Sequence, residues 1–272
     1  MLLVKSKKIR FLFGLLETFN FLYLKLWLKD RARARSFAGK VFRDYMSLAG
    51  REKWGCKSID ELFPENRESR IILEHLPGGG ISTPVDELAY LALVTKSVRP
   101  RFIFEIGTFR GRTALNFALN SPPDCVVYTL DLAPGDRKEM QSETNAADSA
   151  IIEECVPGID YRGKEEAGKI HQLFGNSLDF DFSPYEGKMN IVFVDGAHHY
   201  EAALSDTRNA LRLVAAGGVI LWHDFANYGD YNDVTRAVLA LVPPDDVVQI
   251  DNTQLALYRK PAPKWVPSPI LS

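Results

Sequence analysis

The sequence predicts an α/β fold, a doubly wound and mostly parallel sheet closed by an antiparallel C-terminal hairpin. Three observations lead there. From residue 81 onward, short apolar runs of strand length alternate with helical segments. Several runs end on polar residues, namely Glu105, Asp131, Asp195, His223 and Asp224, and strand ends are where ligands bind in such sheets. The last two runs, 247–250 and 254–258, flank Asp251-Asn252, a hairpin signal.

The elements follow in order. Ser82-Thr83-Pro84 opens a helix over 85–96, with Pro84 near its first turn and Asp86 and Glu87 after it. Residues 102–106 form a strand and 111–119 a helix. Strand 126–132 follows, then a polar, irregular stretch over 133–168 that is a candidate lid. Strands 170–174 and 190–194 come next, the second a buried NIVFV run. Helix 200–214, a Gly217-Gly218 turn, strand 219–222 and helix 234–241 lead to the hairpin. Residues 36–80 are expected to be a helical linker region with a short helix over 37–48, broken by Pro77-Gly-Gly-Gly80. The tail 261–272 is Pro-rich and expected to be loosely ordered.

The chain has 272 residues, is 46% hydrophobic and 25% charged, and so excludes a disordered, collagen-like or coiled-coil protein. Three widely spaced cysteines fit a reducing cytoplasm and no disulfide framework. The net charge of -2 hides an asymmetry: residues 1–40 carry 10 basic and 2 acidic residues, and the remainder is acidic. An acidic body argues against nucleic-acid binding. The basic head raises the question of an anionic membrane. Within residues 1–35, FLFGLLETFNFLYLKLWL (11–28) lies between two basic clusters. Three readings remain open: an interfacial helix on the cytoplasmic face, a spanning anchor, and a helix packed on the body or on a second copy in a homo-oligomer.

The first chemical constellation is Glu105-Ile-Gly107-Thr-Phe-Arg-Gly111-Arg-Thr113, a strand running through a glycine turn into a helix. Phe109 stands at the middle glycine position, so the three-glycine dinucleotide fingerprint is absent. This disfavours a nicotinamide-dependent oxidoreductase. Asp131, ending the next strand, is placed to accept ribose hydroxyls. Together these residues resemble the class I S-adenosylmethionine-dependent methyltransferases. EIGTFRGRT is similar to the first motif of the catechol-type O-methyltransferases, where an aromatic residue also replaces the middle glycine. The resemblance implies a methyltransferase domain over 81–260 with a seven-stranded Rossmann-like sheet. It implies that Glu105, Gly107, Thr108 and Gly111 line the methionine end of S-adenosylmethionine. Asp131 would hold the ribose, and Gly175-Asn176-Ser177 would lie beside the adenine.

The second constellation is Asp195-Gly-Ala-His198-His199-Tyr200-Glu201, and the third is Trp222-His223-Asp224-Phe225. They resemble segments of the catechol-type and macrocin-type metal-dependent O-methyltransferases. By that resemblance Asp195, His223 and Asp224 occupy metal-ligand positions for Mg²⁺ or Mn²⁺. A histidine where those families carry a carboxylate shifts the preference towards Mn²⁺, Fe²⁺ or Zn²⁺. His198 stands where the catechol type has its general base, and Asp195 shares the catalytic role; a bracing role for His198 is an equal alternative. His199 is expected to cap the following helix, Asp206 to be solvated or capping, and Phe180, Phe182 and Tyr185 to be core. The expected activity is O-methylation of a small-molecule or glycan-like hydroxyl. A metal-independent methyltransferase and a non-catalytic cofactor-binding scaffold are the alternatives.

Overall fold

The structure, a computed structural model, describes residues 22–31, 33–34, 38, 54–76, 83–133, 156–226 and 232–262. The chain divides into two units, Met1–Tyr45 and Met46–Ser272. In the first, residues 22–29 are helical. Leu22, Leu24 and Leu28 are exposed, and the Arg31 guanidinium lies 4.7 Å from the centre of the Trp27 ring. Among the described residues no helix is long and apolar enough to cross a membrane. Most of the predicted 1–35 and 37–48 segments, residues 134–155 of the candidate lid, and 263–272 of the tail lie outside the described residues.

The second unit is built on one sheet. Its strands are β1 (Cys56–Lys57), β2 (Phe102–Ile106), β3 (Val126–Asp131), β4 (Ile170–Phe174), β5 (Met189–Val194), β6 (Val214–Trp222), β7 (Val247–Ile250) and β8 (Ala256–Arg259). The order is β1-β7-β8-β6-β5-β2-β3-β4. All pairs are parallel except β6 with β8 and β7 with β8, which are antiparallel. The helices are α1 (Ile59–Leu62), α2 (Val85–Val98), α3 (Arg112–Asn120), α4 (Tyr200–Leu213) and α5 (Asn232–Leu241).

The central strands are buried on both faces, so alternate residues feed two cores. Phe104, Val192, Ile220 and Trp222 pack with Ala203 and Ala210 of α4 and Ala237 and Val238 of α5. Ile103, Ile191, Phe193 and Leu221 pack with Leu91 of α2 and Leu115 and Phe117 of α3. Helices thus cover both faces, the doubly wound arrangement that the alternation predicts. Phe182 is buried, and Phe180 and Tyr185 pack against the same core.

The structure corrects three expectations. The sheet has eight strands rather than seven, because Cys56–Lys57 pairs with the outer edge of β7. A two-residue strand carries no periodicity, so nothing in the sequence announces it. The region 36–80 therefore holds a strand as well as helix: α1 follows β1, opened by a capping box between Ser58 and Glu61. Finally, β6 begins at Val214, and Gly217-Gly218 lies inside it, with a register shift against β5 between Met189 and Ile191.

Candidate active site

Strand register assembles the site. Ile106 pairs with Val194, and Val194 with Trp222, so the next residues, Gly107, Asp195 and His223, emerge side by side at the carboxyl edge. Asp131 ends β3, and Gly175-Asn176-Ser177 follows β4. All the predicted site residues therefore stand at that edge or on the turns that leave it.

The glycine turn is fixed by close contacts. At Gly107, φ is +98°, and a Cβ would stand 2.0 Å from the Asp195 carbonyl oxygen. Glycine is needed because the main chains of the two loops touch. Gly111, the N-cap of α3 with φ +82°, has the Tyr161 ring against it; a Cβ there would be 2.5 Å from ring carbons. Asp131 braces the turn: Oδ2 accepts the Phe109 N–H at 2.8 Å, and Oδ1 accepts the Leu132 N–H at 2.7 Å. Residues 156–164, from the end of the candidate lid, pack on the turn. The Asp160 N–H donates to the Arg110 carbonyl at 2.9 Å, and the Asp160 carboxylate pairs with the Arg110 guanidinium at 2.8 Å.

Beneath the turn runs a chain of hydrogen-bonded side chains. Glu105, Thr129 and Gln172 are register neighbours on β2, β3 and β4, so their side chains line up on one face. The Tyr161 hydroxyl donates to Gln172 Oε1 at 2.7 Å, and Gln172 Nε2 donates to Thr108 Oγ1 at 3.0 Å. Thr108 shares a 2.7 Å bond with Thr129, which donates to Glu105 Oε2. Glu105 is fully buried and its Oε1 has no partner. Burial pushes its carboxyl well above the usual range, opposed by the Thr129 bond. The Thr108 side chain is thus committed to bracing the turn from below.

At the ends of β5 and β6 the chemistry is ionic. His223 Nε2 lies 2.8 Å from Glu87 Oε2, while its Nδ1 lies 2.9 Å from Asp224 Oδ2 and 3.2 Å from Asp195 Oδ1. Burial opposes a charge on this ring, but Asp195 and Asp224 outweigh it and raise its pKa well above the ordinary value. His198 Nε2 is 2.9 Å from Asp224 Oδ2. Burial would raise the Asp224 carboxyl, yet the charge of His223 and the hydrogen bonds from both histidines hold it well below the carboxylate range. Asp224 sits at φ +56°, a backbone region costly for a non-glycine residue and concentrated at functional sites.

Both ring nitrogens of His223, expected as a metal ligand, face carboxylates. Among the described residues, the group that could hold an ion is Asp195, His198 and Asp224, with one ligand atom from each all within 4.8 Å of one another. The same residues line a small cavity with His223, Thr207 and Trp222. His199 is the N-cap of α4 by position but makes no side-chain cap bond. Asn176 turns its Oδ1 to its own loop, accepting the Leu178 N–H at 3.0 Å. Asp206, expected to be solvated or capping, is fully buried. Neither of its oxygens makes a well-formed hydrogen bond, though Ser177 lies near enough to lower its pKa a little. Burial dominates and pushes the carboxyl up to about 7.

Sequence reasoning missed Glu87, Thr129 and Gln172. Glu87 reads as an ordinary acid in a first helical turn. Yet it is buried, and its Oε1 also accepts the Gln254 N–H at 2.7 Å, tying α2 to the hairpin.

Residues 104–225 match a family model described as Methyltransferase domain. A probable caffeoyl-CoA O-methyltransferase of Arabidopsis thaliana is 26% identical over 160 residues, covering 57% of this chain and 61% of the relative. A caffeoyl-CoA O-methyltransferase of Populus kitakamiensis is 28% identical over 156 residues, covering 55% and 57%. The chain thus spans about three fifths of the length of these curated relatives. Among solved structures, a methyltransferase of Podospora anserina bound to S-adenosylhomocysteine aligns with a TM-score of 0.48 at 15% identity, covering 80% of this chain and 94% of that one. The family match spans residues 104–225, the stretch that holds the glycine turn, Asp131 and the histidine–aspartate cluster.

Proposed function

We propose that this chain transfers the methyl group of S-adenosylmethionine to a hydroxyl oxygen of a small-molecule or glycan-like acceptor, beside a divalent cation. One observation carries the reading. The glycine turn and Asp131 stand at neighbouring strand ends to a cluster of two carboxylates and two imidazoles. In it, Asp131 accepts the ribose hydroxyls, and Asn176 and Ser177 lie beside the adenine. The main chain of 107–111, with Gly107, Thr108 and Gly111, and Glu105 beneath it, line the methionine end. Asp195, next to Gly107, faces the sulfonium, whose positive charge suits an acid-lined site.

The donor set fits a cation. Glu87 matches the charge of His223, which leaves the charges of Asp195 and Asp224 for a divalent ion, with His198 as third ligand. One nitrogen and two oxygens suit Mn²⁺, Fe²⁺ or Zn²⁺ better than Mg²⁺. When bound, such an ion lowers the pKa of an acceptor hydroxyl. His223, gripped by Glu87, holds both carboxylates in place, and most of the rate enhancement then comes from alignment and fixed charge. A second reading is favoured by the 2.9 Å contact of His198 with Asp224: an Asp–His pair that takes the hydroxyl proton without a metal.

Methyl transfer to a panel of vicinal diols, caffeoyl-CoA included, separates the two. Loss of transfer in chelator, with recovery on adding Mn²⁺, supports the cation. Transfer that persists in chelator but disappears in His198→Ala supports the pair. Binding of S-adenosylhomocysteine with no transfer to any acceptor would leave a scaffold. We also propose that residues 1–35 rest on an anionic membrane surface, a reading supported by the basic charge of residues 1–40. Sedimentation of the full chain, but not of a chain lacking 1–35, with anionic liposomes is the expected result.

A further inference from the structure

The glycine turn holds one charged group that the proposed reaction does not yet use. Arg112 is the first residue of α3 and is 7% exposed. Its Nη2 donates to the Thr83 carbonyl, while Nη1 is shut off from water and has no hydrogen-bond partner. A guanidinium stays protonated at any physiological pH, so a buried one without a counter-ion is strongly disfavoured unless an anion meets it. The carboxylates whose charge reaches it are Asp160 and Asp195. Asp160 is already paired with Arg110, and Asp195 belongs to the His223 cluster. Gly111, the N-cap of α3, makes no side-chain cap bond, so the helix start next to Arg112 adds main-chain N–H donors and the positive end of a dipole. An orphan guanidinium donor and a helix start at one turn form an anion-recognition set.

We propose that Arg112 recognises the carboxylate of the amino-acid end of S-adenosylmethionine; the proposal rests on the methyltransferase reading above. That end of the cofactor carries an ammonium, a sulfonium and one carboxylate. The carboxylates of Asp131 and Asp195 suit the ribose and the cationic groups, and neither can pair with the carboxylate. Arg112 supplies the missing complement.

The test is calorimetric titration of the full chain with three ligands: S-adenosylhomocysteine, its decarboxylated analogue, and methylthioadenosine, which lacks the amino-acid end. The wild type is expected to prefer S-adenosylhomocysteine over the decarboxylated analogue by about ten- to a hundred-fold, the range of one charge-assisted hydrogen bond. Arg112→Met should abolish that preference and leave methylthioadenosine affinity unchanged, and Arg112→Lys should restore part of it. Equal loss for S-adenosylhomocysteine and methylthioadenosine in Arg112→Met would mean a structural role and overturn the proposal. If that variant does not fold, the wild type still decides, since absence of any preference for the carboxylate overturns it. A wild type that binds none of the three refutes the methyltransferase reading itself, whereas one that binds all three equally refutes only the role of Arg112.

Discussion

At the ends of β5 and β6, Glu87, Asp195, His198, His223 and Asp224 form one ionic cluster with contacts of 2.8 to 3.2 Å. At the ends of β2, β3 and β4, hydroxyls and an amide lead instead to one buried carboxyl, Glu105, raised towards neutrality. The two regions meet at Gly107, where the main chains of their loops touch. The difference separates two tasks. A network of hydroxyl and amide hydrogen bonds rigidifies a loop without ion pairs. A charged cluster is stable only while its charges match, which suits a place where a cation or a proton arrives.

The largest effect is expected at the centre of the charged cluster. Asp224→Ala removes the acceptor of both histidines and leaves a buried charge uncompensated. It should cost about 3–5 kcal/mol in urea unfolding and lower methyl transfer by about a thousand-fold. Affinity for S-adenosylhomocysteine should stay within about threefold, because the residues proposed to hold the cofactor lie on or after β2 to β5 and none on β6. Parallel losses of cofactor affinity and turnover would erase the division of labour.

Asp206, behind the loop between the two regions, sharpens the comparison through pH. Its carboxyl titrates near about 7 in the folded chain, against 3.8 for an unperturbed group. The folded state therefore binds this proton more tightly than the unfolded one. Its burial is free of linkage cost below pH 4, becomes costly as pH rises towards 7, and carries the full penalty above. A shift of about three units is worth roughly 4 kcal/mol. Asp206→Asn should accordingly be several kcal/mol more stable than the wild type at pH 8, with the gap closing near pH 4. A stability difference that ignores pH would contradict the assignment.

The smallest effect belongs to the hydrogen-bonded chain. Tyr161→Phe deletes only the hydroxyl that donates to Gln172. A loss of about 1 kcal/mol is expected, with cation binding untouched. Denaturant melts and Mn²⁺ titration of the variant check both statements.

Much of this was legible in the sequence. The runs 102–106, 170–174 and 247–250 coincide with β2, β4 and β7 because apolar strands bounded by polar turns leave little freedom. That Asp131, Asp195, His223 and Asp224 stand together at the carboxyl edge was readable because each closes such a run. The partners of these residues were not readable. Glu87 lies 136 residues from His223, and only the packing of α2 brings them together. The Thr129 and Gln172 side chains matter through register with Glu105, which no single strand encodes. The histidine that joins the two acids in a potential ion site is His198 rather than His223, a choice made by ring orientation and therefore by Glu87.

The most direct measurement is calorimetric titration of the full chain with S-adenosylhomocysteine, in chelator and with Mn²⁺, followed by titration with Mn²⁺ alone. The account predicts that S-adenosylhomocysteine binds in chelator with a dissociation constant of roughly micromolar order. It further predicts that Mn²⁺ binds at a separate site lost in Asp224→Ala. Failure to bind S-adenosylhomocysteine under either condition would contradict the central claim, that the glycine-turn end holds the cofactor while the histidine–aspartate end handles the charge of the reaction.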